Sequence, residues 1–133
     1  MKFSDIDFIK YITAFLGCIF SYLFGCADQI LITLVILTAF DFLTGLMNGV
    51  KTNTVNSKRA SQGIAKKVGF YVIVCVAVLI DRAVGANGSI RALVIWFYIS
   101  TESISIIENI SKLGVPMPKK LIKILEQLKD KSK

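Results

Sequence analysis

Few side chains in this sequence could do chemistry, and most of those lie where a soluble protein would not put them. There is no histidine, which excludes imidazole catalysis and histidine-ligated metal. Cys18, Cys26 and Cys75 are an odd set inside apolar stretches. That is neither a disulfide framework nor zinc-ligand spacing, and they read as small hydrophobes. No phosphate-binding glycine loop, nucleophile motif or metal cluster stands out. The sequence therefore predicts no enzyme and no cofactor. What remains is polar side chains at helical spacing within apolar runs. Asp41 groups with Thr44, Gly45 and Asn48 at i+3, i+4 and i+7. Tyr98, Glu102, Ser105 and Asn109 fall at i, i+4, i+7 and i+11, with Thr101 and Glu108 beside them. A central aspartate costs a spanning helix roughly 2.5–3.5 kcal/mol on insertion scales. Such residues must face protein or water. Two readings stay open for both stripes, a buried seam between helices and the lining of a water-filled pore. For the second stripe, a helix lying on the membrane surface is a third.

The elements that would position these stripes follow from composition. The chain has 133 residues, enough for one domain. Hydrophobic residues make up 54% and charged residues 19%, against the usual ~25% charged. Mean hydropathy is +0.65. Disorder is excluded, and a soluble domain of this length would need more polar surface. Four apolar stretches approach the ~20 residues that a membrane span needs. The sequence thus predicts an all-α integral membrane protein. Its four transmembrane helices should lie near residues 8–26, 29–50, 66–84 and 90–111. A basic loop over 51–65 and a basic amphipathic helix over 117–131 complete the single membrane domain, 1–133. In that tail Leu121, Leu125 and Leu128 form an apolar face flanked by Lys120, Lys123 and Lys129. The first stretch reads as a retained span rather than a signal peptide, since the residues ahead of it carry no net positive charge. Only Ala27, Asp28 and Gln29 separate the first two stretches, which predicts a helical hairpin.

The net charge of +7 would suit nucleic acid or anionic lipid. Its placement decides between them. Residues 51–67 hold Lys51, Lys58, Arg59, Lys66 and Lys67 and no acid. Residues 112–133 hold seven lysines, Lys119, Lys120 and Lys123 among them, against Glu126 and Asp130. Basic segments flanking apolar runs are a membrane pattern, so nucleic acid is not expected as a partner. Short positive segments stay cytoplasmic. The expected topology has four spans and both termini inside. Lys58, Arg59, Lys66, Lys67, Lys119, Lys120 and Lys123 would set that topology or contact anionic lipid headgroups. Gly17, Ser21 and Gly25 recur every four residues, and Gly45 and Gly49 form a GxxxG. Such residues let helices approach closely, within the hairpin or between subunits.

Read together, these residues resemble a known family. Asp41-Phe42-Leu43-Thr44-Gly45-Leu46 is similar to the D-x-x-T-G-L motif of the clostridial-type phage lysis and toxin-secretion holins. The similarity continues through Gly63-Ile64-Ala65-Lys66-Lys67 and Leu79-Ile80-Asp81-Arg82, and is strongest from Phe97 to Asn109. It ends with Leu113-Gly114-Val115-Pro116-Met117-Pro118 and covers about residues 30–130. The family usually has Asn where this chain has Thr101. The resemblance implies a multi-pass protein of the bacterial cytoplasmic membrane. It would assemble into a large homo-oligomer and open holes for endolysin, or for a secreted toxin, without stable binding to either.

Two other classes compete. A small four-helix multidrug-type transporter carries a carboxylate in its first helix, and this chain has none between Lys10 and Asp28. A holin-regulating, antiholin-like protein would bind holin subunits without making a hole. The topology itself is testable by cysteine labelling in intact cells. A cysteine placed at residues 52–60 should be shielded from an impermeant reagent. Labelling there from outside overturns the orientation.

Overall fold

Each helix boundary has a local cause. The computed structural model describes residues 5–131, apart from the side chains of Leu125, Glu126 and residues 128–131. Helix α1 runs Asp5–Phe24, α2 Gln29–Lys51, α3 Ser57–Val84, α4 Ser89–Lys112 and α5 Lys119–Lys131. At the start of α2 the carboxylate of Asp28 accepts from the Leu31 amide at 3.2 Å, satisfying one of the orphan donors of a helix N-terminus. Asn56 does the same for α3, accepting from the Lys58 amide at 2.8 Å. Gly85 closes α3 in the left-handed conformation, φ 68°, the usual way to end a helix. No strand occurs among the described residues.

Helices α1 to α4, of 20, 23, 28 and 24 residues, are all long and apolar enough to cross a membrane. The basic segment 51–65 is not a loop throughout, because the turn ends at Asn56 and α3 begins at Ser57. The Asn56 cap and the helix-favouring Lys, Arg, Ala and Gln side chains of this segment account for that. At ~42 Å, α3 outlasts a ~30 Å hydrocarbon core. Its basic first turns therefore extend beyond the apolar layer. The apolar face expected of the tail rests largely on Leu125 and Leu128, which, with Lys129, lie outside the described side chains.

Helices α2 and α4 run parallel and form the principal pairing, with α3 antiparallel against both. The core is small. Leu31 and Leu34 from α2, Phe70 and Val74 from α3, and Ile95, Tyr98 and Ile99 from α4 form one cluster. Phe70 and Tyr98 stack there with ring centroids 4.3 Å apart. Outward stand Val35, Ile36, Phe40, Val72, Ile73, Val76, Leu93, Trp96 and Phe97, the apolar surface a bilayer requires. Lipid gives helices no hydrophobic reason to associate. Polar contacts must carry a correspondingly larger share.

The expected hairpin of the first two stretches is not how α1 is held. Its principal contact is α3, and every residue from Phe8 to Tyr22 is exposed. The ties lie at its C-terminal end. The Arg82 guanidinium sits over the Tyr22 ring at 4.3 Å, and Phe24 meets Tyr71 edge-on at 6.3 Å. The inward face of α2 is already filled by α4. Within the subunit the Gly17, Ser21, Gly25 stripe does not pack helix on helix either. Nothing lies within 4 Å of a side chain added at Gly17. Gly25 falls outside α1, at φ +85°, where an added Cβ would also come within 3.2 Å of Arg91 Nε.

Arg91, in the first turn of α4, explains that close approach. Its Nε donates to the Phe24 carbonyl at 2.6 Å and its Nη2 to the Cys26 carbonyl at 2.9 Å. Both terminal nitrogens grip the Asp28 carboxylate, at 2.7 and 2.9 Å. Beneath it, buried Asp81 accepts from the amides of Ile90 and Arg91 at 3.0 and 2.7 Å. One clamp thus ties the α1–α2 turn to the α3–α4 turn. At the opposite end Lys51 Nζ donates to the carbonyls of Lys112 and Leu113 at 3.1 and 3.0 Å.

The Arg91 guanidinium holds the Asp28 carboxyl below its ordinary value of 3.8, against the opposing effect of burial. A carboxyl with a depressed folded-state pKa stabilises the fold above its unfolded pKa, and that stability is lost as pH falls through the folded value. Thermal unfolding in detergent should therefore show an acid-induced loss of stability below about pH 4 that Asp28→Asn lacks. Identical acid profiles for the two proteins would contradict this.

Candidate functional site: a polar seam inside the bundle

The two polar stripes meet each other. Asp41 stands ~18 Å from the start of α2 and ~15 Å from its end. Glu102 occupies the matching depth on α4. Between them reaches Lys67 from α3, whose Nζ lies 2.7 Å from Asp41 Oδ2 and 2.5 Å from Glu102 Oε2. The three side chains are 15%, 3% and 14% exposed, in the order Asp41, Glu102, Lys67. The second oxygen of Asp41 accepts from Asn109 Nδ2 at 3.2 Å, and the same amide donates to Thr44 Oγ1 at 3.2 Å. One turn further along, Asn48 Nδ2 donates to the Asn109 backbone carbonyl at 2.9 Å. Tyr71 donates to Thr38 at 3.1 Å on the other side of the ion cluster.

Among the described residues no buried side-chain nitrogen or oxygen lacks a partner. That matters because an unpaired polar group in a low-dielectric interior costs several kcal/mol. Two carboxylates share one ammonium, so the cluster carries one negative charge more than positive. The Asn109 amide offsets part of this at Asp41. The arrangement holds no nucleophile paired with a base, and no group of three metal-ligating side chains occurs among the described residues. What it can do chemically is hold three helices together by polar contact. If the helices part, it can present carboxylates to water.

The remaining sequence-derived residues divide cleanly. Tyr98 belongs to the apolar core, stacked on Phe70. Thr101 Oγ1 donates back to the Phe97 carbonyl at 3.0 Å. Ser105 and Glu108 are half-buried beside the seam. Lys58, Arg59, Lys66, Lys119, Lys120 and Lys123 are exposed. Lys67 is not with them. Grouped from the sequence with the headgroup-facing cations, it points into the seam. The reason is its position on α3, where Phe70, Val74, Ala77, Val78 and Asp81 all lie on the buried face. A cation at the head of such a face needs an anionic partner, and that spacing was the available signal. Gly45 faces Asn109, with an added Cβ 3.6 Å from its Nδ2, and Gly49 abuts Val55 of the turn at 3.2 Å. Neither glycine is at a glycine-to-glycine helix crossing. Sequence reasoning also passed over Asp28, Asp81 and Arg91. The short Gly85–Ser89 turn, which brings residues 81 and 91 to adjacent helix ends, was the clue.

The Bacteriophage holin family profile matches residues 18–130. Among individual proteins, the chain is 42% identical over 128 residues to an uncharacterised 14.9 kDa protein of Clostridium perfringens, covering 95% of this chain and 96% of that one. It is 37% identical over 105 residues to an uncharacterised protein of Listeria monocytogenes, covering 79% and 75%. A probable holin of Bacillus phage phi105 is 34% identical over 98 residues, covering 74% and 72%. No solved structure matches.

Removing one member of a buried ion cluster strands the others, at a cost of roughly 3–5 kcal/mol. Lys67→Met should therefore destabilise the protein by about that amount in denaturant unfolding from detergent micelles. Combining it with Asp41→Asn and Glu102→Gln should restore most of the loss, because no charge is then left unpaired. A Lys67→Met protein that unfolds like the parent would show that the cluster does not hold the helices.

Proposed function

The chain belongs to the bacteriophage holin family, and on that basis we propose that it assembles in the bacterial cytoplasmic membrane and opens holes wide enough for a folded protein. The observation that carries this reading is the seam. Its carboxylates, amides and hydroxyls are paired inside a single bundle whose exterior is apolar, so the monomer can accumulate in lipid at little polar cost. Separation of α2 from α4 would expose the same groups, and they are stable only if they find water or matching stripes on other subunits. Assembly with a shared aqueous lumen supplies both.

Size sets the order of assembly. A murein-degrading enzyme domain of ~150 residues has a radius of gyration near 15 Å, so it is about 40 Å across. Helices are ~10 Å thick, and a ring around such a passenger takes on the order of fifteen lining helices. One subunit cannot supply them. The hole is therefore the property of a large homo-oligomer, and the cargo, endolysin or toxin, passes without being bound. With the basic 51–67 segment and the tail inside the cell, both termini are cytoplasmic.

Expression in bacteria should collapse the membrane potential and release a cytoplasmic reporter enzyme. A Glu102→Leu, Asn109→Leu double variant, matched for membrane abundance, should delay or abolish release. Release on the parent's schedule would remove this face from the lumen. Expression without any release, in cells where a known holin is delayed, would point instead to a regulator of holin subunits.

A further inference from the structure

At the end of the bundle that holds the 52–56 turn, α2 and the first turns of α3 diverge around a cavity of about 730 Å³. Its lining changes character with depth. Lys51, Arg59 and Lys112 stand at the mouth, with Thr52, Thr54 and Asn56. Phe42 and Leu46 form the apolar wall below, and Asp41 and Lys67 of the seam close the inner end. The floor is occupied by its own ion pairs, in which Asp41 and Glu102 share Lys67. The cations of the mouth have no carboxylate among the lining residues besides Asp41. Lys51 Nζ gives two of its three hydrogens to the carbonyls that end α4, which leaves one for a ligand. Gly45, Gly49 and Gly63 line the walls without side chains. At Gly63 an added Cβ would meet nothing within 4 Å, so the space is open.

We propose that this cavity is a binding site for one anionic phospholipid, its phosphate held at the Lys51, Arg59 and Lys112 mouth and one acyl chain lying against Phe42 and Leu46. The site has the amphiphile's own polarity, charged at the level where α3 leaves the apolar layer and apolar roughly one and a half to two and a half turns deeper. The mouth also lies at the N-terminus of α3, whose helix dipole favours a phosphate even though Asn56 caps the Lys58 amide. A zwitterionic lipid would bring its own cation against three others. The apolar wall gives a free phosphate ion nothing to bind. The inference stands apart from hole formation, because it concerns the intact subunit alone.

Native mass spectrometry of the purified full chain, released from micelles holding equal phosphatidylglycerol and phosphatidylcholine, reads the preference directly. The parent should retain phosphatidylglycerol selectively. Arg59→Gln should lower its retention about fivefold, the equivalent of roughly 1 kcal/mol per basic residue. Gly63→Leu keeps every charge but narrows the cavity, and should lower retention. Lys10→Gln removes a charge remote from the site and should change nothing. Equal retention of the two lipids by the parent overturns the proposal. So does a Gly63→Leu protein that binds like the parent, or a Lys10→Gln loss equal to that of Arg59→Gln. Displacement of the lipid by millimolar inorganic phosphate would overturn the lipid assignment in favour of the free ion.

Discussion

Placing a charge in the middle of a membrane is the constraint from which the rest of this structure follows. Asp41 and Glu102 are each at mid-depth on their helices, and neither could stay there alone. Lys67 answers both at once, which is possible only if α3 lies antiparallel across the α2–α4 pair with its buried face turned to it. The apolar cluster of Leu34, Val74 and Ile95 then packs in the half of the bundle that the ions leave free. In water, that small cluster would be too little core for 133 residues. In lipid it need not be more, because the exterior is already in its preferred solvent. The fold is organised by polar contacts inside and apolar surface outside.

The ends of the bundle obey the same rule by other means. Helix termini leave amides and carbonyls unpaired, and near a bilayer each needs a partner. Asp81 meets the first amides of α4, Arg91 the last carbonyls of α1, and Lys51 the last carbonyls of α4. Each of these side chains comes from a different helix than the terminus it satisfies. The caps are therefore also tertiary contacts, and they set which helix lies beside which. The contrast is α1, whose contacts with Arg82 and Tyr71 lie at its C-terminal end and whose residues from Phe8 to Tyr22 are exposed.

Much of this was legible before any coordinates. Apolar run length marked out four helices, and the 3.6-residue spacing put Asp41 with Thr44 and Asn48, and Glu102 with Asn109, on common faces. Spacing along one helix says nothing of what stands opposite, so the meeting of the two stripes was not in the sequence. Lys67 was missed because a cation beside a basic loop looks like a topology signal. Only the buried face that continues from it, through Phe70 and Val74, shows otherwise. The start of α3 was misplaced by nine residues, because polar composition was read as loop where Asn56 in fact caps a helix. The glycine spacing in α1 does not mark a helix contact within the subunit, since Gly25 ends the helix instead of lining it.

The parallel pairing of α2 and α4 has a mechanical consequence. Their contacts fall at three depths: Asp28 with Arg91, the seam at mid-height, and Lys51 with the carbonyls of Lys112 and Leu113. All three share one alignment. A slip of a single helical turn, about 5.4 Å, disturbs every one of them together. The pair is a lock with three pins on one shaft, and its alignment is set at all three levels at once.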